Sequence, residues 1–158
     1  MRRGFTLIEV MIVIAMLAIL VAIAVPNLIS ARKNANEAGA IASLKVLQTA
    51  QGLFREQDIE GDGETDYATS LGELGNSVLI DPELAAGLKS GYRINLGAST
   101  AQPLYLWFAT ADPTNPGGTG DRYFCTNHLG VITFTTLASI PLDTNSCALP
   151  AGTIPLGR

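Results

Sequence analysis

The sequence predicts an α+β fold: one very long N-terminal helix whose second half packs on a small antiparallel sheet of four strands. Three observations carry this. Apolar and small residues recur at helical spacing from Phe5 to about Gln57, and beyond Gly91 the apolar period drops to two. Between those stretches lies a connection rich in Gly, Asp and Glu that holds only short helical signals.

The helix comes first. Phe5 to Val25 is an almost wholly apolar run of 21 residues, about 31 Å long at roughly 1.5 Å per residue, enough to cross a bilayer core. Past Pro26 the pattern continues through Leu28, Ala31, Ala35, Ala38 and Ala42, with Ile41, Leu44, Leu47 and Phe54 extending an apolar face. Arg32, Lys33, Asn34, Asn36, Glu37 and Lys45 occupy the remainder. Pro26 removes one backbone hydrogen bond, so a kink or local loosening is expected there. Gly39 and the alanines keep the middle of the helix narrow, which suits close packing against other helices.

The connection spans residues 58–91. Ser70 and Glu73 have capping-box spacing, and Gly75 is expected to stop a short turn. Asp81-Pro82-Glu83 ahead of Leu84, Ala85 and Leu88 reads as a second short helix, with a cap and a proline at its first position. Strands are expected at Tyr92–Leu96, Leu104–Thr110, Arg122–Thr126 and Val131–Thr136, with Asn127-His128-Leu129-Gly130 as a tight turn between the last two.

Glu9 is the only charged residue between Phe5 and Pro26. A carboxylate held in hydrocarbon costs at least ~2.5 kcal/mol, so it implies a function and a partner. Gly4-Phe5-Thr6-Leu7-Ile8-Glu9, between basic residues and the apolar run, resembles the prepilin leader of type IV pilins and of type II secretion pseudopilins. The resemblance covers about the first thirty residues and implies the pilin-like version of the fold read above. It also implies cleavage after Gly4, methylation of Phe5 as the new N-terminal residue, Glu9 as the assembly glutamate and Pro26 as the helix kink. The implied partners are a prepilin peptidase, an assembly platform in the inner membrane, and further copies in a helical filament. The precursor is then expected in the inner membrane with its ectodomain periplasmic, and the mature form in an extracellular pilus or periplasmic pseudopilus. Gly-Tyr-Arg-Ile at 91–94, Arg-Tyr-Phe-Cys at 122–125 and Gly-Val-Ile at 130–132 resemble recurrent features of pilin globular domains, a weaker match.

The chemistry agrees independently of the family. Cutting at Gly4 frees a cationic amine on Phe5, one helical turn before Glu9, and axially staggered copies would let amine and carboxylate meet where water cannot screen them. Arg2 and Arg3 hold the leader on the cytoplasmic side. Competing readings are a removed secretory signal with Ala22-Ile23-Ala24 as its cleavage site, a twin-arginine signal, and a plain membrane anchor. The apolar run is long for a signal, and a plain anchor leaves Glu9 unexplained. The organisation expected is a leader at 1–4, a membrane and polymerisation helix half at 5–26, and a globular part at 27–158. That part comprises the second helix half, the connection 58–91, the sheet 92–136 and a tail 137–158.

The net charge of −4 falls to −6 without Arg2 and Arg3, which gives no support for nucleic-acid binding. Cys125 and Cys147 both lie beyond the anchor and, in an oxidising compartment, are expected to pair. The pairing would staple a Pro- and Gly-rich tail to the sheet, and it resembles the disulfide-bounded C-terminal region of type IV pilins. Asp58, Glu60, Asp62, Glu64 and Asp66 alternate with no intervening cation, and their opening resembles an EF-hand loop. Thr69 stands where that loop needs a bidentate glutamate, so the readings are a solvated acidic loop or an irregular calcium site. No other cofactor is expected. The Gly-rich segment 113–120 lacks the lysine of a phosphate loop, and His128, the single histidine, sits in a turn without zinc or triad partners. The expected role is a structural pilin and not an enzyme. The alternatives are a secretion pseudopilin and, in another class, a periplasmic binding module on an uncleaved anchor.

Overall fold

The computed structural model describes residues 5–59, 63, 65–98, 105–136, 147 and 154–156. Helix α1 runs unbroken from Leu7 to Gln57, 51 residues or about 77 Å, with Pro26 inside it. It begins two residues later than the apolar pattern suggested because Thr6 is the N-cap, in extended conformation. Asp58, with φ 42°, closes the other end in the left-handed region.

The two halves of α1 face different surroundings. From Phe5 to Arg32 every residue is exposed, and none of the most apolar 18-residue window is buried in the chain. In the second half, Ala40, Leu44, Leu47, Ala50, Gln51 and Phe54 form one buried stripe at three- and four-residue spacing. Leu44 and Leu47 are wholly buried, each side chain contributing roughly 1.5–3 kcal/mol of transfer free energy. Ala31, Ala35, Ala38 and Ala42 lie on the opposite, exposed face. Gly39 departs from the expectation: a Cβ there would come within 2.5 Å of Ser90 Oγ, so its smallness serves packing inside the chain.

Helix α2 spans Leu71–Asn76 and α3 spans Pro82–Ala85. Ser70 caps α2 through the Glu73 amide, while the Glu73 carboxylate accepts from the Thr69 amide and from the Thr69 and Ser70 hydroxyls. Partial burial would raise the Glu73 pKa, but those donors outweigh it and hold the group below the usual carboxylate range. Asp81 caps α3 as expected, and its pKa is lowered by the Lys89 ammonium and the Leu84 amide. Gly75 does not stop α2. It lies inside the helix, where a Cβ would approach Ala85 Cβ to 2.6 Å, so it permits α2 and α3 to touch. The stop comes at Val78, with φ 58°. The Val78 amide donates to Gly75 O at 3.0 Å and the Leu79 amide to Leu74 O at 3.1 Å, the paired bonds of a Schellman ending. A β-branched residue in that left-handed slot costs roughly 1–2 kcal/mol.

The sheet is antiparallel throughout, with strands in sequence order: β1 (Leu88–Lys89), β2 (Tyr92–Ala98), β3 (Trp107–Pro113), β4 (Tyr123–Asn127), β5 (Thr133–Thr135) and β6 (Ile154–Pro155). The four strands expected become six, by the addition of a two-residue strand at each edge. Strand β1 exists because Ser90 and Gly91 both take positive φ, 52° and 71°, and close a two-residue hairpin that pairs Lys89 with Tyr92. Strand β6 is a piece of the tail returning along β5, with Phe134 opposite Ile154. Strand β3 sits three residues later than predicted, its register running from Tyr92 opposite Pro113 to Ala98 opposite Trp107. The turn after β4 is as expected: the Gly130 amide donates to Asn127 O, and Gly130 has φ 72°.

Trp107, Ala109 and Ala111 of β3 join Tyr92, Ile94 and Phe124 against α1, whereas Phe108 packs on the other face with Cys125 and Cys147. A clasp then holds the connection to the helix. Gln51 is wholly buried, and its side-chain amide exchanges two hydrogen bonds with the backbone of Ala68, at 2.8 and 2.9 Å. Gln51→Ala strands a buried N–H and a buried C=O, each costing about 1–3 kcal/mol. Its expected effect is a loss of about 3 kcal/mol of stability, read by denaturant unfolding followed through the fluorescence of Trp107.

Candidate functional site

The first candidate site is the start of α1. Thr6 Oγ1 accepts from the Glu9 amide at 3.3 Å, and Glu9 Oε2 accepts from the Thr6 amide and hydroxyl, both at 2.8 Å. This reciprocal box satisfies orphan donors of the first turn and sets the carboxylate at the positive end of the helix dipole. The carboxylate thereby points back toward the residue that follows Gly4. Sequence reasoning assigned Glu9 a partner in another copy and missed this one, although Thr6-x-x-Glu9 is the capping-box spelling. Gly4 itself lies outside the described residues.

Next to it stands the apolar surface. Phe5 is 84% exposed, and Leu7, Ile14, Leu20 and Leu28 are also exposed, on all sides of the helix. A surface of this extent marks a membrane or protein contact and not a soluble face. Hydrocarbon and other apolar helices are the surroundings it fits.

The second element is a polar clamp that joins α1 to the segment entering β4, just beyond the apolar half. Lys33 pairs with Asp121 at 3.1 Å, and the Asn36 side chain donates to Thr119 O at 2.8 Å. Glu37, buried, accepts the Asp121 amide at 3.0 Å and faces the Arg122 guanidinium at 3.5 Å. Arg122 in turn lies over the Phe134 ring, 4.9 Å from its centroid. Tyr92 donates its hydroxyl to Arg122 O at 3.0 Å, and burial, then the Glu37 and Asp121 charges, raise its pKa. Gly120 is required there because any Cβ would overlap the Tyr92 hydroxyl. Tyr92 and Arg122 fall in two motifs read from the sequence, but their meeting with Lys33, Asn36 and Glu37 was not anticipated. Its signal is the polar triplet at 33, 36 and 37, whose spacing puts three hydrogen-bonding side chains on one helix face.

The third element is the Cys125–Cys147 disulfide, with the Cα atoms 6.1 Å apart and both residues buried against Phe108 and Tyr123. It fixes part of the tail on the sheet face that α1 leaves open. Of the acidic residues considered for calcium, Asp58 accepts the Gly63 amide at 3.0 Å and terminates α1, and Asp66 is half-buried. Glu60, Asp62 and Glu64 lie outside the described residues. Among the described residues no three His, Cys, Asp or Glu side chains gather at metal-binding distance. His128 lies in the turn after β4, its amide donating to Trp107 O at 3.2 Å.

The site combines an exposed apolar helix half, one carboxylate in its first turn and a sheet domain clamped to the second half. Residues 1–25 match the family described as the prokaryotic N-terminal methylation motif. The chain is 39% identical over 101 residues to the type IV major pilin protein PilA of Myxococcus xanthus, covering 64% of this chain and 40% of that one. It is 41% identical over 73 residues to the type IV wide pilus major component PilA4 of Thermus thermophilus, 46% of this chain and 53% of that one. It is 32% identical over 92 residues to the type II secretion system core protein G of Aeromonas hydrophila, 58% of this chain and 59% of that one. The chain thus spans about half the length of these relatives. No solved structure matches it significantly.

The disulfide closes a separation of 22 residues, which the chain-entropy account values at about 3 kcal/mol. Cys125→Ser with Cys147→Ser is expected to lower unfolding stability by about that amount while leaving the pairing of β2 with β3 intact. Denaturant titration and amide hydrogen exchange of those strands check the two parts.

Proposed function

We propose that the chain is the structural subunit of a type IV pilus, made as an inner-membrane precursor and polymerised through α1. In this reading residues 1–4 are the leader, 5–26 the membrane and polymerisation half, and 27–158 the globular part. The prepilin peptidase cuts after Gly4 and methylates Phe5, and an inner-membrane platform extracts the subunit into the filament. The role is structural and non-enzymatic, with no cofactor assigned. The observation that carries it is Glu9, one carboxylate in the first turn of an otherwise apolar, exposed helix half, within the segment that matches the methylation motif.

Physical chemistry supplies the assembly step. In hydrocarbon Glu9 is costly, and the Thr6 donors offset only part of that cost. A free amine on Phe5 of a neighbouring copy supplies the missing cation. Pairing the two removes two desolvation penalties and fixes the axial stagger between copies. The second reading, a type II secretion pseudopilin, shares the leader and draws on the relation to protein G. The disulfide in the tail favours the pilus.

The mature chain is expected to begin with methylated Phe5. Intact-mass measurement of filaments or membranes checks this, and a chain starting at Met1 or near Val25 would contradict the pilin reading. Glu9→Gln keeps size and hydrogen bonding but deletes the charge. It is expected to leave the ectodomain folded and to cut sheared filament yield at least tenfold, with subunits accumulating in the inner membrane. Normal filament yield from this variant would refute the pairing role.

A further inference from the structure

Strand β2 is seven residues long, but β1 covers only its start, pairing Lys89 with Tyr92 and Leu88 with Arg93. The Ile94 amide still donates to Gly87 O at 2.8 Å, while the Gly87 amide turns away to Leu84 O at 2.9 Å, at the end of α3. The ladder stops there. On the other side of β2, the Thr114 amide donates to Gly91 O at 3.0 Å, so by antiparallel alternation Arg93, Asn95 and Gly97 bond toward β3. Leu96 and Ala98 therefore turn their N–H and C=O groups outward, and among the described residues no main-chain bond reaches them on that side. Such a row is a template for another strand.

Beside this edge opens a wedge of about 370 Å³, between β2 and the ends of α2 and α3. Leu71, Ala85 and Leu96 line it and pack on the main core, so its inner wall is apolar. Arg93 also lines it, but from the opposite face of the sheet, where its side chain is exposed. Among the described residues Arg93 forms no ion pair, and its cross-strand neighbour Asp112 stands on the β3 side, away from the edge.

We propose that this edge docks an extended segment of a different protein, added antiparallel to β2 in line with β1. Main-chain bonds to Leu96 and Ala98 hold the segment, as in other cases of strand addition. Successive side chains of an added strand face alternate sides. One apolar side chain of the segment thus fills the wedge against Leu71, Ala85 and Leu96, and the acidic residues on either side of it face Arg93. That alternation of acidic and apolar residues is what selects the segment. The β2 edge of a second copy would bring another Arg93 to the same face, whereas acidic side chains complement the first.

The test uses the full chain in detergent micelles and a blocked peptide, Thr-Glu-Val-Glu-Thr, labelled for fluorescence anisotropy. Saturable binding is expected, and N-methylation of the valine amide, which would bond Leu96 O, is expected to weaken it at least tenfold. Arg93→Glu is expected to weaken binding of the same peptide at least tenfold and to favour a version with lysine in place of both glutamates. Circular dichroism and intact Cys125–Cys147 pairing control for folding of that variant. Saturating peptide is expected to slow hydrogen exchange at the Leu96 and Ala98 amides and to leave Asn95 and Gly97, already bonded to β3, unchanged. Absence of saturable binding, equal binding of the N-methylated peptide, or an Arg93→Glu chain that binds like the native one would each overturn the proposal. So would protection of Leu96 and Ala98 that rises with chain concentration in the absence of peptide, the mark of pairing between copies. None of these outcomes touches the filament reading, which the mature N-terminus and the Glu9 variant test separately.

Discussion

Everything in this protein depends on α1 being one continuous helix whose two halves differ in cover. Its second half is anchored by burial of Ala40, Leu44, Leu47, Ala50 and Phe54 against the sheet, and its first half has no cover within the chain. A soluble domain could not tolerate the first arrangement, and a membrane anchor would not need the second. The stiffness of a continuous helix means that whatever positions residues 7–29 also positions the ectodomain. The polar clamp at Lys33, Asn36 and Glu37 sits just past the apolar half, where it resists any rotation of helix against sheet. There Lys33 and Glu37, charged side chains of α1, reach the segment entering β4.

The two faces of the sheet solve a related difficulty. Strand β3 is buried on both sides, by α1 under Trp107, Ala109 and Ala111, and by Cys125 and Cys147 beside Phe108. A small antiparallel sheet with one helix would leave its second face wet. Here the covalent link at Cys125 brings Cys147 onto that face in a segment that could not build a core of its own. Chain entropy opposes folding, and a cross-link lowers that cost by constraining the unfolded chain. Gln51 does the same for the connection by hydrogen bonding, clasping Ala68 from inside the core.

The expectations that moved share a cause. The spacing of Ser70 and Glu73 located the start of α2, because a cap depends on residues three apart in the chain. Its end was misread at Gly75, because that glycine answers to Ala85, ten residues on, and the left-handed position fell to Val78. Gly39 was likewise read as a helix-packing residue for other copies, when its neighbour is Ser90. The strands were placed within a few residues by their period. The edge pieces β1 and β6 were missed because two-residue strands carry no period at all. Thr6 and Glu9 spelled a capping box, but the membrane argument drew attention to the charge and away from the local bond.

The sequence alone determined the long helix, its apolar first half and the isolated glutamate, since each is a local pattern of polarity along the chain. It also led to the expected pairing of the two cysteines, which the structure joins. Tertiary structure decided which helix face is interior, dividing Leu44 and Leu47 from Ala38 and Ala42. It also decided that Glu37 meets the 121–122 backbone and side chain, and that glycine is needed at 120 beside Tyr92. These contacts join residues more than twenty positions apart. Their identity depends on sheet register and on the azimuth of the helix over the sheet, and no short-range spacing encodes either.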